Sequence, residues 1–192
     1  MVDFPGFVTR DSETRYLLVG DDGHVLLSNS IIAEIYHRLF SALGYEKTPK
    51  IIYESAKKGT YQVQKNLIAA YRVTLKDEED LSNRISRLPL YIQTCGHGRG
   101  KTVQRGEEFI FMVRHSSVAE SFKNSGLERP VCHFLAGFFA GMAEAYAELV
   151  KPSISYSCVE TKCVATGDPH TVELPNQRRE TCLILEIGTL HA

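Results

Sequence analysis

The sequence predicts an α+β fold: an antiparallel sheet packed against several helices, one of them long and glycine-containing. Three observations carry this. Several blocks repeat apolar residues at helical spacing, and several shorter runs have strand character bounded by turn residues. The two kinds follow one another as hairpin, helices, strands, long helix, strands, not in the strict alternation of a parallel sheet. The 192 residues are 43% apolar and 23% charged, a globular balance that suits one domain spanning 1–192. A chain of this size buries roughly 70% of its unfolded surface and requires no covalent staple.

Taken in order, residues 15–19 and 24–27 are short apolar runs around Gly20-Asp21-Asp22-Gly23 and read as a β-hairpin. Ser28, Asn29 or Ser30 can cap a first helix, with Ile31, Ile32, Ile35, Tyr36, Leu39 and Leu43 on its apolar face and Gly44 as its stop. Thr48-Pro49 starts a second helix that ends near Gly59. A third carries Val63, Leu67, Ala70 and Tyr71. Asp77-Glu78-Glu79-Asp80 puts acids at the start of a fourth, with Leu81, Ile85 and Leu88 inside and Pro89 interrupting the pattern.

Cys95-Gly96-His97-Gly98-Arg99-Gly100 reads as a hairpin or lid loop. Residues 101–104 and 107–113 then read as two strands around Arg105-Gly106, and 117–124 as a short helix. Pro130 opens the strongest helix, running to about Val150, with Ala136, Gly137, Ala140 and Gly141 clustered on it. Glycine costs about 1 kcal/mol against alanine inside a helix, so two of them imply close packing against a sheet or a second helix. Residues 153–161 alternate as a strand, 167–170 form a turn, 171–174 a return strand, and 182–187 is an apolar run that periodicity does not classify.

A net charge of −1 gives no reason to expect nucleic acid or an anionic membrane. No apolar run approaches the ~20 residues of a membrane span. The first ten residues lack the basic-then-apolar order of a signal peptide, so the expected location is cytoplasmic. Five cysteines, an odd count, favour thiols or metal ligands over a disulfide framework.

On the 153–161 strand, Ile154, Tyr156, Cys158 and Glu160 share one face. Ile154 and Tyr156 make it the inner one, so Glu160 points a carboxylate into the protein, which is costly unless the group is paired or metal-bound. With Cys163 it forms Glu-x-x-Cys, an oxygen and a sulfur such as a tetrahedral zinc site uses. The alternative is a solvent-facing Glu160 beside a buried structural thiol. Glu144 and Glu148 lie one turn apart among alanines and read as a solvated helix face rather than an acid–base pair. Cys95 and His97 lack a matched second pair and read as loop. No nucleophile elbow or dinucleotide fingerprint occurs.

Pro130-Val131-Cys132, Gly137 and Gly141 on one helix, then Glu160-x-x-Cys163 and Gly167-Asp168, resemble in type and order the 4-vinyl reductase domain family. The match is best over 107–174 and extends more weakly to the helices of 28–71, within one domain whose N-terminal part is the hairpin and helices of 15–88. The resemblance implies a ligand-binding domain of the NO-signalling and Golgi-transport type, a fold shared with haem-based nitric-oxide sensors and trafficking-complex subunits. It also implies a structural zinc held by Cys132, Glu160 and Cys163 beside an apolar ligand pocket. Where the family places its last cysteine this chain has Thr171, with His170 next to it. His170 is the expected fourth ligand, with Cys158, an open site holding water, and no metal as the other readings.

The expected function is a sensor or binding domain for a small apolar or aromatic molecule. Phe134, Phe138 and Met142, four residues apart on the long helix, and Tyr156 on the facing strand would line its pocket. Two other readings are an enzyme or accessory acting on a tetrapyrrole vinyl group, and a non-catalytic assembly subunit. No nicotinamide or flavin motif supplies reducing equivalents for the first. Related domains pair through helices, so a homodimer or a protein partner is the expected route for a signal.

Overall fold

A computed structural model describes residues 8–10, 17–19, 22–24, 29–106, 108–122, 129–152, 154–166 and 182–190. The N-terminal hairpin is present and gains a third strand. Strands β1 (Val8–Arg10), β2 (Leu17–Val19) and β3 (Asp22–His24) form an antiparallel sheet in that order. Val19 pairs with Asp22, so the next strand begins within the four residues read as a turn.

Helix α1 (Asn29–Ala70) is broken once, at Gly44 (φ 77°, ψ 170°), giving an N-terminal and a C-terminal arm. The left-handed φ is what makes glycine the residue for that break. The buried Thr48 secures the joint, its hydroxyl donating to the Leu39 carbonyl at 3.0 Å. The second and third helices read from the sequence are one continuous arm running through Gly59, where a Cβ would meet nothing within 4 Å.

Helix α2 (Glu78–Ser86) is capped by Asp77, whose carboxylate accepts from the Asp80 N–H at 2.9 Å. Leu81, Ile85 and Leu88 are buried as the spacing requires. Pro89 starts a separate short helix, α3 (Pro89–Thr94). Strands β4 (Arg99–Arg105) and β5 (Glu108–Arg114) are a hairpin turning at Gly106 (φ 62°). After α4 (Ser117–Phe122), α5 (His133–Ala147) crosses the sheet and leads into β6 (Ser155–Lys162).

The unclassified apolar run is β7 (Cys182–Leu190), which pairs with β5 on one side and β6 on the other. The main sheet is thus fully antiparallel in the order β4-β5-β7-β6, the α+β arrangement the sequence implies.

Helix α5 is the hub of the core. Phe139 stacks on Phe111 of β5 with ring centroids 4.4 Å apart, joining helix to sheet. On another face, a Cβ at Gly137 would collide with the Tyr53 carbonyl oxygen and one at Gly141 with that of Lys57. The two glycines therefore let the C-terminal arm of α1 lie directly on α5. Among the described residues no helix is long and apolar enough to cross a membrane.

Candidate metal centre and pocket walls

Cys132 stands just before the first turn of α5, Glu160 near the end of β6, and Cys163 at the strand's exit. Their ligand atoms all lie within 4.8 Å of one another. The alternation of β6 produces this inward carboxylate: Tyr156 and Cys158 are buried, Val159 is 59% exposed, and Glu160 returns to the inner face. The Cys132 N–H donates to Glu160 Oε2 at 2.9 Å, which ties helix to strand. Glu160 Oε1 is shut off from solvent and has no hydrogen-bond partner among the described residues.

Burial, chiefly, raises the Glu160 carboxyl well above its ordinary range, and the nearby Cys163 adds to this. Between the thiols, the hydrogen bond from Cys132 holds Cys163 low, and the same bond, with burial, pushes Cys132 up. Ser116 Oγ, 3.5 Å from Cys132 Sγ, completes the sulfur's polar surroundings.

Two thiols and an orphaned carboxylate oxygen in one buried cluster are a donor set that fits a divalent ion. Tetrahedral zinc with Zn–S bonds of about 2.3 Å places its ligand atoms about 3.5–4 Å apart, a modest contraction from the present cluster. Such an ion would offset most of the negative charge of a carboxylate and two thiolates held together.

His170 and Thr171 lie outside the described residues. Cys158 is buried on the Glu160 face but does not belong to the cluster, which argues against it as fourth ligand; its N–H instead donates to Tyr53 Oη at 3.2 Å. Cys95 is exposed and joins no metal-ligating group among the described residues.

Met142 and Tyr156 are buried, whereas Phe134 and Phe138 are half-buried with ring centroids 6.3 Å apart. His97 is more than loop: its Nδ1 is 3.2 Å from Ser117 Oγ and its ring centroid 5.9 Å from that of Phe134. Sequence spacing misses this contact because it joins elements 37 residues apart. Glu144 and Glu148 are not a free solvated face either. Glu144 pairs with Lys57 at 3.1 Å and accepts from Ser155, and Glu148 binds Lys65 at 2.8 Å and accepts from Tyr61 at 2.7 Å. They fasten α5 to α1 and β6.

No family model matches the chain, and no curated protein does. Among solved structures, the fold is similar to the phenol-responsive sensory domain of the transcription activator PoxR, crystallised with phenol. That likeness has a TM-score of 0.73 and 15% identity, over 97% of this chain and 87% of that one. It is also similar to trafficking protein particle complex subunit 3 from Naegleria fowleri, solved covalently bound to palmitic acid. Here the TM-score is 0.53 and the identity 10%, over 85% of this chain and 95% of that one. The chain thus has the fold of these sensor and trafficking domains, with a buried Cys2Glu cluster built into it.

Proposed function

We propose that this chain is a cytoplasmic small-molecule sensor domain of the 4-vinyl reductase type, binding an apolar or aromatic ligand beside a structural zinc. The observation that carries the reading is the convergence of Cys132, Glu160 and Cys163 at the α5–β6 junction. It occurs in a fold shared with a phenol-responsive domain. The zinc would clamp the start of α5 to the end of β6, with His170 as fourth ligand. Phe134, Phe138, Met142 and Tyr156 would form the pocket wall on the sheet side of that helix. The ion's task is to fix the wall's two elements against each other; the binding chemistry belongs to the apolar side chains, with Tyr156 supplying one polar contact.

Native mass spectrometry of the purified protein, with metal analysis on the same sample, tests this. The expected result is one zinc per chain and binding of added phenol-sized aromatics. Well under one zinc per chain overturns the metal reading, and a co-purifying tetrapyrrole overturns the sensor reading in favour of an enzyme or accessory role. A second reading, assembly subunit, draws on the exposed apolar residues of the N-terminal arm, Ile31 at 49%, Ile35 at 47% and Leu43 at 39%. Absence of any ligand, together with a stable complex, would favour it.

A further inference from the structure

Among the described residues, two buried side-chain polar atoms have no hydrogen-bond partner: Glu160 Oε1 and Tyr36 Oη. An unpaired buried hydroxyl costs on the order of 1–3 kcal/mol, so an orphan of this kind calls for an explanation. Tyr36 is in the N-terminal arm of α1 and only 4% exposed. Its ring is wedged against Phe40 (6.3 Å between centroids) and Phe122 (5.6 Å). Its hydroxyl lies close to the Phe134 backbone, two residues beyond Cys132, without making an aligned hydrogen bond there. Burial raises its phenol strongly, with the charges of Cys132 and then Glu160 contributing, so it is a neutral O–H donor at any physiological pH.

As a thiol, Cys132 already engages Cys163 and Ser116. As a metal-bound thiolate it has no proton to share, and its sulfur becomes a stronger acceptor.

We infer that Tyr36 is a positioning residue of the metal centre, donating a hydrogen bond, directly or through one water, to the metal-bound sulfur of Cys132. This rests on the metal reading above and extends it to the N-terminal arm, which supplies no ligand. Ion binding would then pin that arm to α5 through Tyr36. Outer-shell donors of this kind orient a ligand and tune its basicity.

Tyr36→Phe removes the hydroxyl and keeps the ring. The metal-free variant should melt at the wild-type temperature or above, because a buried orphan is gone. Its affinity for zinc, measured by chelator competition, should fall about 10–100-fold. With cobalt(II) in place of zinc, the thiolate-to-metal charge-transfer band should move to longer wavelength, since a sulfur that loses a hydrogen bond releases charge more easily. A wild-type chain that takes up neither zinc nor cobalt overturns the metal reading and this inference with it. A wild type that binds both, beside a Tyr36→Phe variant with unchanged affinity and spectrum, overturns the inference alone. A variant that merely melts lower, with zinc affinity intact, assigns Tyr36 to packing and overturns it as well.

Discussion

His97 has been drawn out of its loop into a half-buried setting between Ser117 and Phe134, and burial lowers its basicity. The folded protein therefore binds this proton less readily than the unfolded chain does. Its contribution to stability is complete above the unfolded histidine value, about 6.5, and is lost as pH falls through the lower folded value. The buried Glu160 carboxyl, raised by burial, works in the opposite sense and adds stability as pH falls, so the His97 contribution is read as a difference. Between pH 7.5 and 5.5 the melting temperature of metal-free His97→Gln, which carries no charge at either pH, should fall less, or rise more, than that of the wild type, with His133, also lowered by burial, common to both. Equal slopes for wild type and variant in thermal denaturation would contradict this. Cys163→Ala should release the zinc; at free zinc 1,000-fold above its dissociation constant, the ion adds about 4 kcal/mol that the variant forfeits. Metal analysis and melting with and without zinc check it. The inward Glu160 was legible from period-two alternation alone. Its meeting with Cys132, 28 residues earlier, was not, and came from the order of motifs. Nothing local to Tyr36 distinguishes it from any other apolar-face tyrosine, so its place at the site required the packing of α1 on α5.

At the scale of elements, the α1–α5 contact depends on the absence of two side chains. Gly141→Ala should gain about 1 kcal/mol of helix propensity and lose about 1–3 kcal/mol through collision with the Lys57 carbonyl oxygen, which is backbone and cannot swing aside. Net destabilisation is expected in urea titration, and a stabilised variant would show the helices free to separate. The sequence marked these glycines as packing sites but left open whether sheet or helix lay opposite. It also read Gly44 and Gly59 as equal stops. Only Gly44 takes the left-handed conformation that makes glycine a terminator, a distinction composition does not carry. β7 escaped classification because it is an interior strand, where a continuous apolar run replaces alternation. Ala145, 1% exposed on α5, tests the proposed pocket. Ala145→Phe should abolish aromatic-ligand binding while shifting the melting temperature little. A fall matching about 1–3 kcal/mol of overpacking would assign that wall to solid core.

Across the whole molecule, the N-terminal arm of α1 has two apolar faces with different fates. Tyr36 and Phe40 are buried against the body, and Leu39 packs at its margin, while Ile31, Ile35 and Leu43 face solvent. The expected apolar stripe is therefore only partly core. Its outer part is what a homodimer, proposed here from the resemblance to helix-paired domains, would cover. Such a homodimer would be isologous, with the same stripe on both copies. Ion pairing such as Arg38 with Glu34, at 2.7 Å but highly exposed, adds little to the arm by itself. Burial of the stripe would therefore be the main gain. Light scattering at tens of micromolar, roughly the range of modest protein–protein affinities, should give a dimer. Ile31→Glu with Ile35→Glu should convert it to a monomer without lowering the melting temperature of the dilute protein, because neither side chain supports the core. A monomeric wild type at that concentration would remove the dimer. If the double variant instead unfolds, the stripe belongs to the body, and a signal from the pocket would need another exit.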